Sequence, residues 1–413
     1  MNFPPFRIMI IAGEASGDLH GGALSTALFQ TDPTLKIVGI GGQAMRKSGV
    51  DVQFDSARLG IVGLFEALLK WRDIWEGYQV AKSILQSGVH LLVIIDFPDF
   101  NLRMAKMAKA LDIPVVYYIG PQLWAWRKGR IKTIAERVDK MLVIFPFEEA
   151  IYREAGVPCE FVGHPLIEEA VSFLETPFLK AEYLQKKRLD PSAITLGLLP
   201  GSRKTEIEAH LPVMLEGIKL LSKEVGPLQM LIPVASTLSA DFISRFTQSY
   251  SLPIRIVEGD IYSVLRAADV VVAASGTVTL QAALTQTPMV VIYKLSWITY
   301  ALARWLIDLP SISLVNIVAQ TALVPELIQE NATPERICLE IKKLLDPAVR
   351  DKMKAGLGKT VSLLGEGNAS RRAAEIIHQT LNNPPDKEEG TEGFWMHLNK
   401  PPQSPVSGGG NFT

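Results

Sequence analysis

Arg203 follows the turn Pro200-Gly201-Ser202, which closes the apolar run 194–199 and precedes a polar, helix-favouring segment. A strand, a glycine turn and a helix start bring backbone N–H groups to one point, where the helix dipole adds positive potential. Arg203 adds a full charge and a planar fork of donors. Such a constellation suits a diphosphate, and the alternative is an ordinary strand-to-helix turn with Arg203 on the surface. The theme returns at Ser275-Gly276-Thr277, after the apolar run 269–274, with Gln281 on the first turns of the next helix and in reach of a ribose.

Carboxylates gather elsewhere. Asp96 ends the apolar run 91–95, and a carboxylate at a strand end borders a cleft and is partly desolvated, which raises its basicity. Asp99 and Asn101 read as caps of the following helix, which leaves Asp96 for chemistry. The first loop, Gly13-Glu-Ala-Ser-Gly-Asp-Leu-His20, lacks the Gly-x-Gly-x-x-Gly spacing of a dinucleotide fingerprint. It sets Glu14, Asp18 and His20 at the mouth of the same cleft, where carboxylates suit sugar hydroxyls better than a pyrophosphate. On local grounds Ser16 and Asp18 serve equally well as helix caps.

These residues need scaffolds, and the hydrophobic pattern supplies two. Apolar runs at 7–12, 36–40, 91–95, 114–119 and 140–145 alternate with helical patterns at 17–30, 61–87, 101–111 and 147–155. The alternation restarts after Asp190-Pro191, with runs at 194–199, 229–234, 254–257, 269–274 and 288–293. Continuous apolar strands alternating with helices predict parallel sheets covered on both faces. The expected fold is α/β, two doubly wound domains facing across a cleft, with ligands beyond the carboxyl ends of the strands. The expected divisions are 1–165, 190–350, a helical segment 351–381 packing back on the first domain, and a Pro-, Gly- and Ser-rich disordered tail 382–413.

Composition narrows the partners. The 413 residues carry 42 basic and 43 acidic side chains, a net charge of −1, which argues against nucleic acid as the main partner. Two isolated cysteines, Cys159 and Cys338, provide neither a disulfide framework nor a zinc site, and fit a reducing cytoplasm. A mean hydropathy of +0.19 is high, yet no run of about 18 uncharged apolar residues occurs. The excess apolarity belongs to large cores or to a surface touching lipid. Two segments suit the latter. One is the stripe Ile61, Leu64, Leu68, Trp71, Trp75 and Tyr78, widened by Phe65 and Leu69; the other is 294–305, with Trp297 and Trp305 beside Lys294 and Arg304. The stripe also reads as a helix packed on its sheet.

Six motifs occur in a telling order: Gly13-Glu-Ala-Ser-Gly-Asp18, Asp96-Phe-Pro-Asp-Phe-Asn101, Pro121-Gln-Leu-Trp-Ala-Trp-Arg127, Phe161-Val-Gly-His-Pro165, Leu199-Pro-Gly-Ser-Arg203 and Ser275-Gly-Thr277. Together they resemble the lipid-A-disaccharide synthase family over about residues 7 to 380. The resemblance implies a GT-B glycosyltransferase, inverting and without a metal or other cofactor. Its substrates would be UDP-diacylglucosamine and diacylglucosamine 1-phosphate, met at the cytoplasmic face of the inner membrane by a peripheral protein, with a homodimer as an admissible assembly. It implies Asp96 and Glu14 as catalytic residues. Arg203, Gly201, Ser202, Ser275, Gly276, Thr277, Gln281 and Asn316 would hold UDP, and Leu64, Phe65, Leu68, Leu69, Trp71, Trp297 and Trp305 would meet lipid. Two departures stand out: Gln281 where the family has Glu, and Ala319-Gln-Thr-Ala322 where it reads Ala-Gly-Arg-Glu/Pro. A GT-B relative using another UDP-amino sugar, or one that binds without turnover, remains open on these residues.

Overall fold

Leu91-Leu-Val-Ile-Ile95 is buried at every position, as only a central strand covered on both faces can be. In the computed structural model, which describes residues 5–59, 71–121, 129–295 and 311–383, such runs build two wholly parallel sheets. The first holds β1 (Arg7–Ala12), β2 (Lys36–Gly41), β3 (Asp51–Asp55), β4 (Leu91–Ile95), β5 (Val115–Tyr118), β6 (Lys140–Val143) and β7 (Cys159–Phe161), in the order β3-β2-β1-β4-β5-β6-β7. The second holds β8 (Ile194–Leu199), β9 (Leu228–Val234), β10 (Ile254–Glu258), β11 (Val270–Ala274), β12 (Met289–Tyr293) and β13 (Glu326–Ile328), in the order β10-β9-β8-β11-β12-β13. The α/β expectation holds. The sequence reading missed β3, β7 and β13, which are short edge strands whose apolar signal is diluted.

Alternation along β1 feeds two cores. Ile8 and Ile10 pack with Leu24, Leu28 and Ile377 on one face, and Met9 and Ile11 pack with Ile94 and Tyr117 on the other. The final helix, Ala369–Asn382, therefore lies on the first sheet beside the helix Ala15–Thr31. Conversely, Leu166, Ile167 and Ala170 of the helix Pro165–Glu175 join the core of the second sheet.

The two sheets share a locking device. Asp139, at the entry to β6, donates its N–H to Val115 O and accepts from Val115 N at 2.8 Å while Lys109 holds its other oxygen. Asp269 does the same at the entry to β11, with Thr195 and Lys180 as partners. Each aspartate fixes the register of neighbouring strands and leaves their carboxyl ends level.

The chain crosses between sheets twice, around residues 162–164 and 363–368. The crossings touch: His164 N donates to Leu364 O at 2.8 Å, and a Cβ on Gly365 would come within 3.0 Å of Gly163 Cα. Glu168 ties them further by accepting from Ser370 N and Oγ.

Candidate functional site

Each sheet reverses its winding once, and each reversal opens a crevice at the carboxyl ends of two neighbouring strands. In the first sheet β1 and β4 flank it, with Ala12 paired to Ile95, so Gly13-Glu14 and Asp96 emerge side by side. In the second β8 and β11 flank it, with Leu199 beside Ala273, so Pro200–Arg203 and Ser275–Thr277 emerge together.

The second crevice is a cavity of about 660 Å³. Gly201, Ser202, Arg203, Ser275, Gly276, Thr277 and Gln281 all line it. The sequence reading missed the wall from the ends of β9 and β10: Ala235, Ser236, Gly259, Asp260 and Ile261. The signal was present, since each group is a small or polar turn after an apolar run.

The glycine turn differs from the expected empty nest. Glu206 Oε2 accepts from Ser202 N at 2.8 Å and Arg203 N at 3.2 Å, and its Oε1 lies 3.5 Å from Arg203 Nη1. A glutamate three residues past the helix N-cap closes back on the turn, a capping arrangement. Gly201 is required here: its φ is +125°, and a Cβ would meet Glu206 Oε2 at 2.3 Å. Ser275 is committed too, with N donating to Ile292 O and Oγ to Ile312 O at 2.7 Å. The ready charge in the cavity is the Arg203 guanidinium, whose side chain is 73% exposed.

His210 braces the turn from below. It is fully buried, with Nδ1 2.7 Å from Pro200 O, while Nε2 accepts from Lys294 N at 3.0 Å. A carbonyl can only accept and an amide only donate, so the imidazole is neutral with its proton on Nδ1.

On the first sheet, Asp96 and Phe97 have φ of +45° and +46°. Two successive non-glycine residues in the left-handed region cost about 1–2 kcal/mol each. Tyr117 Oη donates to Asp96 O at 2.9 Å, and Asn101 Nδ2 donates to Asp96 O at 2.7 Å and Ile95 O at 3.0 Å. These bonds hold the kink. Asn101 is thus a backbone clasp and not the expected N-cap, and Asp99 pairs with Arg130. Burial raises the Asp96 carboxyl above its ordinary value, against a smaller opposing hydrogen bond from Phe97 N. Glu14 is raised too, by burial and then by Asp96, while Arg203 pulls it down. Glu14 thus lies within electrostatic reach of Asp96 on its own sheet and of Arg203 on the other.

Several expectations need correcting. Asp18 does not reach the cleft and does not cap its own helix. Its carboxylate accepts from Gly42 N, Ala44 N and Met45 N at 2.6, 2.8 and 3.1 Å, capping the short helix Gln43–Lys47. Burial lowers His20 to about 4. Asn316 does not line the cavity: it is 2% exposed, its Oδ1 accepts from Val324 N, and its Nδ2 donates to Val324 O and Glu326 Oε1. It holds the loop whose Ile312 carbonyl receives Ser275, which is a positioning role. The 319–322 loop also stands outside the cavity wall, with Gln320 left-handed at φ +53°. Leu64, Phe65, Leu68, Leu69, Trp297 and Trp305 lie outside the described residues. Trp71 is described and exposed, as is Trp75.

Fold and crevices together define a class, the GT-B-type α/β proteins. The UDP-GlcNAc 2-epimerase of Neisseria meningitidis, solved with UDP-GlcNAc bound, matches with a TM-score of 0.62 at 13% identity, covering 91% of this chain and all of that one. MurG of Acinetobacter baumannii matches with a TM-score of 0.56 at 15% identity, covering 91% and 100%. Sequence goes further. The lipid-A-disaccharide synthetase family profile matches residues 8–380. The lipid-A-disaccharide synthase of Geobacter metallireducens is 43% identical over 380 residues, covering 92% of this chain and 98% of the relative. The chain belongs to the lipid-A-disaccharide synthetase family.

Proposed function

We infer that this protein is an inverting glycosyltransferase that joins UDP-2,3-diacylglucosamine to 2,3-diacylglucosamine 1-phosphate, giving lipid A disaccharide 1-phosphate and UDP. Family membership supports the reaction. The observation that carries the residue roles is the pairing of Asp96, a half-buried carboxylate of raised basicity at the end of one sheet's crevice, with a cavity bearing Arg203 at the other's. Asp96 takes the proton of the acceptor 6-hydroxyl as that oxygen attacks the anomeric carbon of the donor. The bond from that carbon to the diphosphate breaks, and Arg203 stabilises the charge that grows on the leaving group. The reading therefore assigns the leaving group to arginine and needs no metal. Glu14, which feels the charges of both Asp96 and Arg203, is kept basic by burial and by its neighbour Asp96 and borders the acceptor hydroxyl. Gln281 reaches the donor as a neutral amide, which gives up the charge assistance of a carboxylate. The substrates are lipids, so the protein works on the cytoplasmic face of the inner membrane. No described helix is long and apolar enough to span a bilayer.

The test is Asp96→Asn in an assay of labelled donor with acceptor in mixed micelles. Turnover is expected to fall by about two to four orders of magnitude with UDP affinity nearly unchanged, and EDTA is expected to leave the wild-type rate intact. Near-normal turnover in the variant would remove Asp96 from the mechanism.

A further inference from the structure

Two anionic substrates must enter a cleft that already holds two carboxylates. Arg203 meets the donor diphosphate from the second sheet, so a phosphomonoester on the acceptor needs a cation of its own on the first. We propose that Arg130 is that cation, binding the acceptor's phosphate and selecting a phosphorylated acceptor; the assignment rests on the reaction inferred above.

Arg130 begins the helix Arg130–Arg137, which follows β5, and β5 is paired to β4, the strand that ends at Asp96. Both residues therefore emerge at the same edge of the sheet. Two contacts fasten this helix to the helix Pro98–Ala110 that follows Asp96. Arg130 Nη2 pairs with Asp99, three residues past Asp96, and Arg137 Nη1 donates to Leu102 O at 3.0 Å. The Tyr117 hydroxyl, bonded to the Asp96 carbonyl, lies in the fields of Asp96, Arg130 and Asp99 together.

The ion pair is lopsided. The Arg130 side chain is 19% exposed and that of Asp99 is 81% exposed. Arg130 is a withdrawn guanidinium whose carboxylate partner stands in water. Releasing Asp99 to solvent costs little, because exposed carboxylates are well hydrated and such pairs are weak. A phosphate dianion then competes well, offering two charges and a bidentate match to the planar fork. The geometry also suits the substrate. The attacking 6-hydroxyl and the 1-phosphate sit on opposite sides of one sugar ring, so a cation is wanted one turn of chain away from the base. Arg130 is paired with Asp99, three residues beyond that base.

The measurement is selectivity: the ratio of kcat/KM for diacylglucosamine 1-phosphate to that for its 1-O-methyl glycoside. Arg130→Gln is expected to lower this ratio about ten- to hundredfold, with Arg130→Lys recovering part. Asp99→Asn, which removes the competing carboxylate and leaves Arg130 in place, is expected to raise it; this variant keeps the test decisive if Arg130→Gln folds poorly. Calorimetry with glucosamine 1-phosphate at millimolar concentration reads the site without turnover. Weaker binding to Arg130→Gln than to wild type supports the phosphate site even if no disaccharide forms, in which case the reaction and not the site is wrong. An unchanged ratio, equal losses on both acceptors, or equal binding of glucosamine 1-phosphate would overturn the assignment.

Discussion

At the scale of single residues, the backbone aims the candidate base. Asp96 and Phe97 are left-handed, and Phe97 lies against Gly13 of the first loop, where a Cβ would meet Phe97 Cδ1 at 2.2 Å and Phe97 Cβ at 2.7 Å. Gly13 is thus a seat for Phe97, and through it a constraint on Asp96. Gly13→Ala should push Phe97 outward and misdirect Asp96. A displacement of about 1 Å can cost about a hundredfold in rate, while UDP binding, which the proposed function assigns to the other sheet, should hold. The check is steady-state kinetics beside a UDP titration; an unaffected kcat would show that Phe97 yields without moving Asp96. Sequence alone placed Asp96, Arg203 and the glycine turns at the carboxyl ends of strands, because strand ends and turns have composition signals. It did not expose that Glu206 fills the N–H groups beside Arg203, that Asp18 serves another helix, or that Asn316 faces inward. Those outcomes depend on which donor a side chain meets in space, and spacing along the chain does not encode that.

At the scale of elements, the central strands were legible and the edges were not. β1, β4 and β8 have the bounds that their runs predict, because burial on both faces demands a nearly continuous apolar run. β3 alternates and β7 and β13 span three residues each, so they carry little signal. The helix Pro165–Glu175 teaches something further. Its N-cap is His164, whose Nδ1 accepts from Leu166 N at 3.1 Å, and burial lowers this imidazole to about 3. The unfolded value is near 6.5. Between those values the unfolded chain binds more protons than the folded one, so stability is full above about pH 6.5 and falls as pH drops toward 3. The slope is about 1.4 kcal/mol per pH unit for each such histidine. Asparagine caps equally well and does not titrate. His164→Asn should therefore flatten the fall in stability between pH 6.5 and 4.5. Urea melts at pH 7, 5.5 and 4.5 decide it, and parallel curves for variant and wild type would acquit His164.

At the scale of the whole molecule, topology decides which edge can meet lipid. In a parallel sheet a helix starts at the carboxyl ends of the strands, so the helix Trp71–Gln86 starts near the edge that bears Asp96. Its buried residues, Gly77, Ala81, Ile84 and Leu85, belong to its latter part, whereas Trp71 and Trp75 near its start are 59% and 58% exposed. Trp75 stacks on Tyr78 and the Arg72 guanidinium lies over Trp71. Aromatic rings beside a cation at the surface suit a headgroup boundary. Lifting an acyl chain into water costs about 0.8 kcal/mol per CH₂, so an enzyme with lipid substrates gains by bringing the crevice proposed for its acceptor to the bilayer. Replacing Trp71 and Trp75 together by Ser should reduce co-sedimentation with anionic vesicles severalfold. It should leave the melting temperature within a few degrees, since exposed side chains contribute little to the core. Turnover on acceptor presented in vesicles should fall more than turnover on a short-chain soluble acceptor. A large loss of melting temperature would make these tryptophans structural, and equal losses on both acceptors would separate them from the membrane.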